Sequence, residues 1–380
     1  MKIGFLITYF YPKTGGAENN CYYTARELAK KHEVHVFTSG EKESEEKING
    51  IYVHRCKELL RVKYYFAFYP SLTNKLAAAH LDVLHVHGFG FMQHDRAIKK
   101  IIKAQPKIKI VCTPHGPFMA LKKYNFAASI FKALYLPSFR KSLQRYDAII
   151  AVNPEQYKWM EKEYGISRKK VFLVPNGINK ETIANISRKE IKKIDEKYGL
   201  AKKMVVSYLG RVQRYKGLDQ VVSVLPVLRN FTPEIVFLII GKDSGDRERL
   251  EKIAKEKGVD MMVRFTGEVS EEDKLALLER SEIFVFPSEW EAFGIATLEA
   301  MARRNAIVST RTEGSLFLIK EGVNGILFDY GDANALKKAL QKLLNNPKIR
   351  HSMKKINKKK SRRFLWTDIA NKLEKIYIMD

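Results

Sequence analysis

Apolar residues in this chain come in short unbroken runs, separated by loops and by longer stretches with helical spacing. Lys2 to Thr8 opens the series. Its run of Ile3, Phe5, Leu6 and Ile7 is too continuous for a sheet with one wet face and predicts a strand of a parallel sheet covered on both sides. A loop with Gly15 and Gly16 follows, then a predicted helix over 17–31. Further strands are predicted at Val34–Thr38, Val83–His87, Ile108–Thr113, Asp147–Val152 and Val171–Val174, with helical patterns between most of them. The pattern then starts again. Met204–Leu209 predicts a strand, followed by the loop Gly210–Gly217 and a helix. Strands are predicted next at Ile235–Gly241, Met262–Thr266, Ile283–Phe286, Ala306–Ser309 and Gly325–Phe328. The charged stretch 186–203 reads as helical, and a terminal helix runs over about Trp366–Ile378. Alternating strand and helix predicts an α/β architecture of two doubly wound, Rossmann-like domains. The junction falls near Gly177–Glu190, giving domains 1–180 (with the terminal helix, about 365–380) and 181–364. Such sheets bind ligands outside the carboxyl ends of their strands, so the two domains are expected to face each other across a cleft.

Composition changes this picture little, but charge changes it more. The chain of 380 residues is long enough for two hydrophobic cores. No apolar run reaches the roughly 18 residues that span a bilayer, and the apolar start reads as a buried strand rather than a signal peptide. The three cysteines, Cys21, Cys56 and Cys112, fit neither a disulfide framework nor a zinc site, so a cytoplasmic, reducing location is expected. The formal net charge is +26, which favours polyanionic partners. It is concentrated: Arg96 to Tyr146 holds twelve Lys or Arg and no acid, and Lys337 to Arg363 again twelve and none, although 42 acidic residues occur elsewhere.

Candidate chemistry centres on Phe286-Pro287-Ser288-Glu289-Trp290-Glu291-Ala292-Phe293-Gly294, where the chain leaves a strand and, at Gly294, starts a helix. The apolar stripe of that helix is Ile295, Leu298 and Ala302, and Glu299 falls within it, where a carboxylate is costly unless bonded or paired. Glu291 lies beside the helix N-terminus, a natural seat for phosphate. An anion seat flanked by two acceptor carboxylates suits a ligand that has both phosphate and hydroxyls, namely a nucleotide sugar. The bland alternative is a solvated Glu291 and a Glu299 paired with a nearby lysine. Arg211 and Lys216 sit on the loop after Met204–Leu209. Two cations there suit a diphosphate and can stabilise a leaving nucleoside diphosphate without a metal; solvated loop cations are the alternative. No Asp-x-Asp occurs in the chain. His85 and His87 alternate on a strand end and read as packed or cleft-lining residues rather than as metal ligands.

Glu291-Ala-Phe-Gly-Ile-Ala-Thr-Leu-Glu299 resembles the E-x7-E signature of the family 4 glycosyltransferases, which have the GT-B fold. Gly210-Arg211 and Lys216-Gly217 resemble that family's diphosphate-binding pair. Pro175-Asn176-Gly177-Ile178 resembles its domain-junction motif, and Thr113-Pro114-His115-Gly116 and Gly15-Gly16-Ala17-Glu18 resemble its amino-domain loops. The resemblance covers nearly the whole chain, in order. It implies a retaining, metal-independent enzyme with no cofactor, an amino domain that binds the acceptor and a carboxyl domain that binds the donor. It implies Arg211 and Lys216 at the donor diphosphate, Glu299 at the ribose, Glu291 at the donor sugar, and the backbone of Phe293 and Gly294 near phosphate or sugar. Gly16 would allow close backbone approach, and His115 would contact the donor sugar near the scissile bond. Two departures stand out. Glu313-Gly314-Ser315-Leu316-Phe317 replaces the family's Gly-Gly-x-x-Glu, and Arg303-Arg304-Asn305 replaces a small-residue turn.

The amino half interleaves Lys122, Lys123, Lys132, Arg140, Lys141 and Arg145 with Phe118, Tyr124, Phe126, Phe131, Tyr135 and Phe139. Cations and aromatics together suit an anionic membrane surface. The expected activity is therefore transfer of a hexose from a UDP-sugar to a lipid-linked or glycan acceptor, with an α-glycosidic product, by a peripheral enzyme at the cytoplasmic membrane face. A buried helix with a solvated cationic side is the alternative for this segment. A soluble sugar-to-sugar transferase is the rival within the family; an epimerase, which needs no acceptor, and a phosphorylase are further rivals. A nucleic-acid-binding protein would use the basic tracts but leaves Glu299 and the Arg211/Lys216 pair unexplained, so no nucleic-acid partner is expected.

Overall fold

A computed structural model of the chain describes residues 1–62, 66–117 and 126–379, and divides it into two compact units: Met1–Asn176 with Trp366–Asp380, and Gly177–Leu365. In chain order the first unit holds β1 (Lys2–Leu6), α1 (Gly16–Leu28), β2 (Glu33–Gly40), β3 (Ser44–Ile48), β4 (Ile51–Lys57), β5 (Leu60–Val62), β6 (Phe66–Phe68), α2 (Leu72–Ala78), β7 (Val83–His87), α3 (Met92–Ala104), β8 (Lys109–Thr113), α4 (Phe126–Leu143), β9 (Ala148–Ala151), α5 (Gln156–Tyr164) and β10 (Val171–Leu173). The second holds α6 (Arg188–Tyr198), β11 (Met204–Leu209), α7 (Leu218–Arg229), β12 (Ile235–Ile240), α8 (Arg247–Glu256), β13 (Val263–Gly267), α9 (Glu271–Arg280), β14 (Ile283–Phe286), α10 (Ile295–Ala302), β15 (Ala306–Thr310), α11 (Glu313–Leu318), β16 (Gly325–Phe328), α12 (Ala333–Asn345) and α13 (Pro347–Ser361). The last helix, α14 (Trp366–Ile378), returns to the first unit and packs on α1.

The first sheet has the order β10-β9-β8-β7-β1-β2-β4-β3 and is parallel except for β3, which runs antiparallel to β4. Alternation along its strands supplies two cores. Ile3, Phe5, Ile7 and Val83 pack toward α1 and α14, while Leu6, Leu84 and Val86 pack with residues of α2, α3, α4 and α5. The strand β3 has no counterpart in the hydrophobic pattern, because it (SEEKI) is an edge strand with polar, exposed positions that needs no apolar face.

The second sheet is parallel throughout, in the order β13-β12-β11-β14-β15-β16. All six residues of β12 are buried, as its unbroken IVFLII run requires. Ile178 donates its N–H to the Phe364 carbonyl at 2.8 Å and bridges Leu365, so the segments that enter and leave this unit are paired. The Arg303-Arg304-Asn305 departure has a structural role here. Arg303 is buried and donates to the carbonyls of Ala184 (2.6 Å) and Glu181 (2.5 Å). Asn305 is buried and bonds the Leu278 and Ala300 carbonyls.

Candidate functional site

In the second unit the strand order reverses between β11 and β14, the place where a doubly wound sheet opens a crevice at its carboxyl edge. The loops after these two strands are sewn together there. Glu289 donates its N–H to the Tyr215 carbonyl at 2.9 Å, and the Gln220 amide reaches the Pro287 carbonyl at 3.3 Å. Gly217 lies so close to Pro287 that a Cβ would stand 2.3 Å from the Pro287 oxygen, and its φ of 66° is left-handed. Thr310 donates to the Ser288 carbonyl at 2.6 Å, which fixes the exit of β14.

This frame brings Lys216 and Glu291, 75 residues apart, to a 2.9 Å ion pair. Lys216 is buried, with its ammonium over the rings of Tyr215 and Phe286. Burial alone would depress its pKa; the Glu291 carboxylate, followed by Tyr215, outweighs burial and holds it above the ordinary lysine value. Arg211 is exposed on the same loop, and its carbonyl accepts from the Tyr208 hydroxyl at 3.1 Å. Gly294 caps α10 with a left-handed φ of 84°, so the first turn of that helix begins where the loop ends. Phe293 is 2 % exposed and packs against Phe317 and Phe364. Glu299 on α10 receives a 2.6 Å bond from Lys274 of α9, so the alternative of a lysine partner holds for that carboxylate in this structure.

Two residues here escape sequence reading. Lys274 carries no motif; only the packing of α9 against α10 brings it to Glu299. Gly314 is the second. It donates its N–H to the Glu291 carbonyl at 3.1 Å, and a Cβ would lie 2.3 Å from the backbone of Phe293. The departure at Phe317 acquires a reason as well, since its ring is part of the Phe293, Phe317 and Phe364 cluster.

In the first unit a cavity of about 70 Å³ lies at the carboxyl edge of the sheet, lined among others by Thr8, Glu18, His87, Gly88 and His115. His115 has a left-handed φ of 62°, a conformation that costs a non-glycine residue about 1 kcal/mol. A 2.8 Å hydrogen bond joins its Nε2 to Nδ1 of buried His87, one imidazole donating to the other. Burial holds His115 down to about 3, so the ring is neutral near pH 7. His85 packs deeper, between the Tyr377 hydroxyl of α14 (2.5 Å) and Thr113 (2.7 Å), also at about 3 through burial and the neighbouring His115. Gly16 begins α1, and a Cβ there would meet nothing within 4 Å.

The basic face of the amino half is only partly as expected. Lys122 and Lys123, with Phe118 and Tyr124, lie outside the described residues, as do the side chains of Phe126 and Phe131. Lys132 pairs with Glu163 at 3.8 Å, Arg140 donates to the Glu163 carbonyl at 2.8 Å, and Lys141 is exposed. Tyr135 and Phe139 do not face outward: Phe139 is buried at 1 %, and the Tyr135 hydroxyl bonds Asp95 at 2.9 Å. Among the described side chains of α4, the outward large apolar ones are instead Ile130, 44 % exposed, and Leu134, 77 % exposed. Among the described residues no helix is long and apolar enough to cross a membrane.

Comparison with known proteins agrees with this geometry. The family model described as Glycosyltransferase Family 4 matches residues 14–182, and that described as Glycosyl transferases group 1 matches residues 190–360. The chain is 28% identical over 235 residues to mannosylfructose-phosphate synthase of Agrobacterium fabrum, a match covering 60% of this chain and 52% of that protein, so it spans about half of that relative's length. It is 24% identical to phosphatidyl-myo-inositol mannosyltransferase of Mycobacterium leprae over 99% of this chain and 96% of that one. Its fold is similar to that of Anabaena HepE in complex with UDP, with a TM-score of 0.79, 18% identity and 99% of each chain covered. The two linked α/β units, the Glu291–Glu299 segment and the two family matches lead to one conclusion: the chain belongs to the family 4 glycosyltransferases of the GT-B fold, enzymes that use nucleotide sugars.

Proposed function

We propose that this enzyme is a retaining hexosyltransferase that moves a sugar from a UDP-sugar to a lipid-linked or glycan acceptor at the cytoplasmic membrane face, with an α-glycosidic product. The observation that carries the donor half is the Lys216–Glu291 pair at the reversal point of the second sheet. A diphosphate entering there competes with Glu291 for the Lys216 ammonium. Arg211 supplies a second cation on the same loop, and the two together stabilise the leaving UDP without a metal. Glu291, released from Lys216, turns its carboxylate to the sugar hydroxyls. The N–H groups at Gly294 serve phosphate or sugar, and Glu299 holds the ribose hydroxyls in exchange for Lys274. In the first unit, the neutral His115 contacts the donor sugar near the scissile bond, and Gly16 leaves room for close approach at the start of α1. The crystallised complex of HepE with UDP supports the nucleotide, and the phosphatidyl-myo-inositol mannosyltransferase supports a lipid acceptor. Ile130 and Leu134, exposed on the same helix as the exposed Lys141, support a membrane-facing acceptor side.

A donor screen by thermal unfolding tests this reading. A native-state ligand at about 100 times its dissociation constant adds roughly 2.7 kcal/mol, so UDP and one UDP-sugar are expected to raise the unfolding temperature above every other nucleotide. No shift with any nucleoside diphosphate or nucleotide sugar would sink the donor assignment. Retention is tested by NMR of the product formed from an α-linked donor; a β anomer overturns it.

A further inference from the structure

The second basic tract, Lys337 to Arg363, is not used by the donor site, and α13 shows how its charges are divided. The inward cations have structural partners. Arg350 donates to the Leu343 and Leu344 carbonyls at 2.6 and 2.8 Å, Lys354 pairs with Glu282 at 3.1 Å, and Lys360 bonds the Leu318 carbonyl at 2.7 Å. The outward positions are different. Lys348, His351, Lys355, Lys359 and Arg362 are all exposed and follow one another at spacings of three and four, which places them on a single helical face. At 1.5 Å per residue that face is about 20 Å long. Among the described residues the acids nearest this helix pair elsewhere, Glu279 with Arg303 and Glu282 with Arg350 and Lys354, and none forms an ion pair with Lys348, Lys355, Lys358, Lys359, Arg362 or Arg304.

Ordinary helix electrostatics does not account for this arrangement. Cations complement the carboxyl end of a helix, which covers Lys358 to Lys360. Lys348 stands in the first turn, where the sign is wrong and no acid accompanies it. Like charges at spacings of three and four oppose helix formation. The crowding is felt by Lys358, whose ammonium is pushed down by burial first and then by Arg304, with Arg362 and Arg303 adding to it against Glu279. A face that keeps such repulsion is matched to an external layer of negative charge. The face is mostly lysine, a point charge on a flexible stem, and α13 contains no Phe, Tyr or Trp on which a base could stack.

We propose that this outward face of α13, continued by Arg362, Arg363 and Arg304, seats the protein on a bilayer surface rich in anionic phospholipid. The inference deepens the membrane-facing acceptor reading above and rests on it, yet it concerns a different helix from α4 and is tested apart from the donor chemistry. Each basic residue near an anionic bilayer is worth about a fivefold change in partition. The full chain is floated with vesicles of phosphatidylglycerol and phosphatidylcholine, and with vesicles of phosphatidylcholine alone, at moderate salt. The wild type is expected on the anionic vesicles only. The triple variant Lys348→Gln, Lys355→Gln, Lys359→Gln is expected to lose about 100-fold in partition while keeping the thermal shift given by UDP, which shows that it is folded. Wild-type partition by the triple variant overturns the proposal, as does failure of the wild type to bind anionic vesicles. Tighter binding of the wild type to duplex DNA than to the vesicles, lost in the triple variant, assigns the face to nucleic acid and overturns it equally. A missing UDP shift in the wild type counts against the donor reading alone.

Discussion

Single side chains at the proposed donor site are held in ion pairs that a ligand would have to exchange, and this makes their removal informative. Lys216→Ala removes the cation and leaves Glu291 without its partner at 2.9 Å. Transfer is expected to fall at least 100-fold, with the unfolding temperature changed by only a few degrees; wild-type turnover would refute the assignment. Glu299→Ala is expected to act in the same way, chiefly through donor affinity. The buried histidines give a pH prediction. His85, His115 and His94 of α3 are held at about 3 chiefly by burial, and His87 is also far below its ordinary value for the same reason. Their folded pKa values lie below the unfolded value of about 6.5, so between those limits the native state binds fewer protons. The stability they contribute is full above pH 6.5 and is lost as pH falls. Stability is therefore expected to fall steeply as pH drops from 6 to 4. Urea midpoints measured across that range check it, and a flat profile would remove the claim that these rings are buried and neutral.

At the scale of elements, the loops after β11 and β14 are tied together by the Glu289 N–H to Tyr215 carbonyl bond, and the second of them is tied to α11 by the Gly314 N–H to Glu291 carbonyl bond. Gly314→Ala puts a methyl group against the Phe293 backbone, and overpacking of this kind typically costs 1–3 kcal/mol. The loop from Glu291 to Gly294 is expected to shift, with donor affinity down at least tenfold in a variant that still folds; calorimetric titration with UDP measures it. On α3, Asp95 is enclosed, and burial raises its pKa to about 6 despite the Tyr135 hydroxyl bond, which works in the other direction. A carboxyl raised above its unfolded value favours folding below pH 4 and loses that contribution as pH rises through 6. Asp95→Asn is therefore expected to stabilise the protein at pH 8 by on the order of 3 kcal/mol and to do little at pH 4. Equal effects at both pH values would contradict this. The same helix packing explains why Tyr135 and Phe139, which look interfacial in sequence, face the core: α4 is fixed by its contacts with α5 and with Asp95, and these aim its aromatic side inward.

For the molecule as a whole, the charge of +26 predicts that association with any anionic surface weakens steeply with salt. Vesicle partition that is unchanged between low and high salt would argue that apolar contacts, such as Leu134, dominate instead. The two-unit α/β organisation was readable from the chain because buried parallel strands need unbroken apolar runs, and these stand out whatever the partner strands are. Strands such as Val83–His87, Met204–Leu209 and Ile283–Phe286 match prediction residue for residue. The E-x7-E segment and Gly210–Gly217 were legible for a related reason: a glycine-marked loop leading into a helix fixes local geometry from local residues. The edge strand β3 was not, since a strand exposed at a sheet edge has no hydrophobic signature. Nor were the partners: Lys274 for Glu299, His87 for His115, Gly314 beneath Phe293 and the carbonyls that hold Arg303. The sequence by itself determined which residues could carry charge, bind phosphate or enter a core, because those properties belong to side chains and their near neighbours. Only the tertiary structure decided which charges meet, which aromatic faces turn inward and which lysines of α13 remain for an outside partner. Those outcomes depend on contacts between residues tens to hundreds of positions apart, set by the order of strands in each sheet.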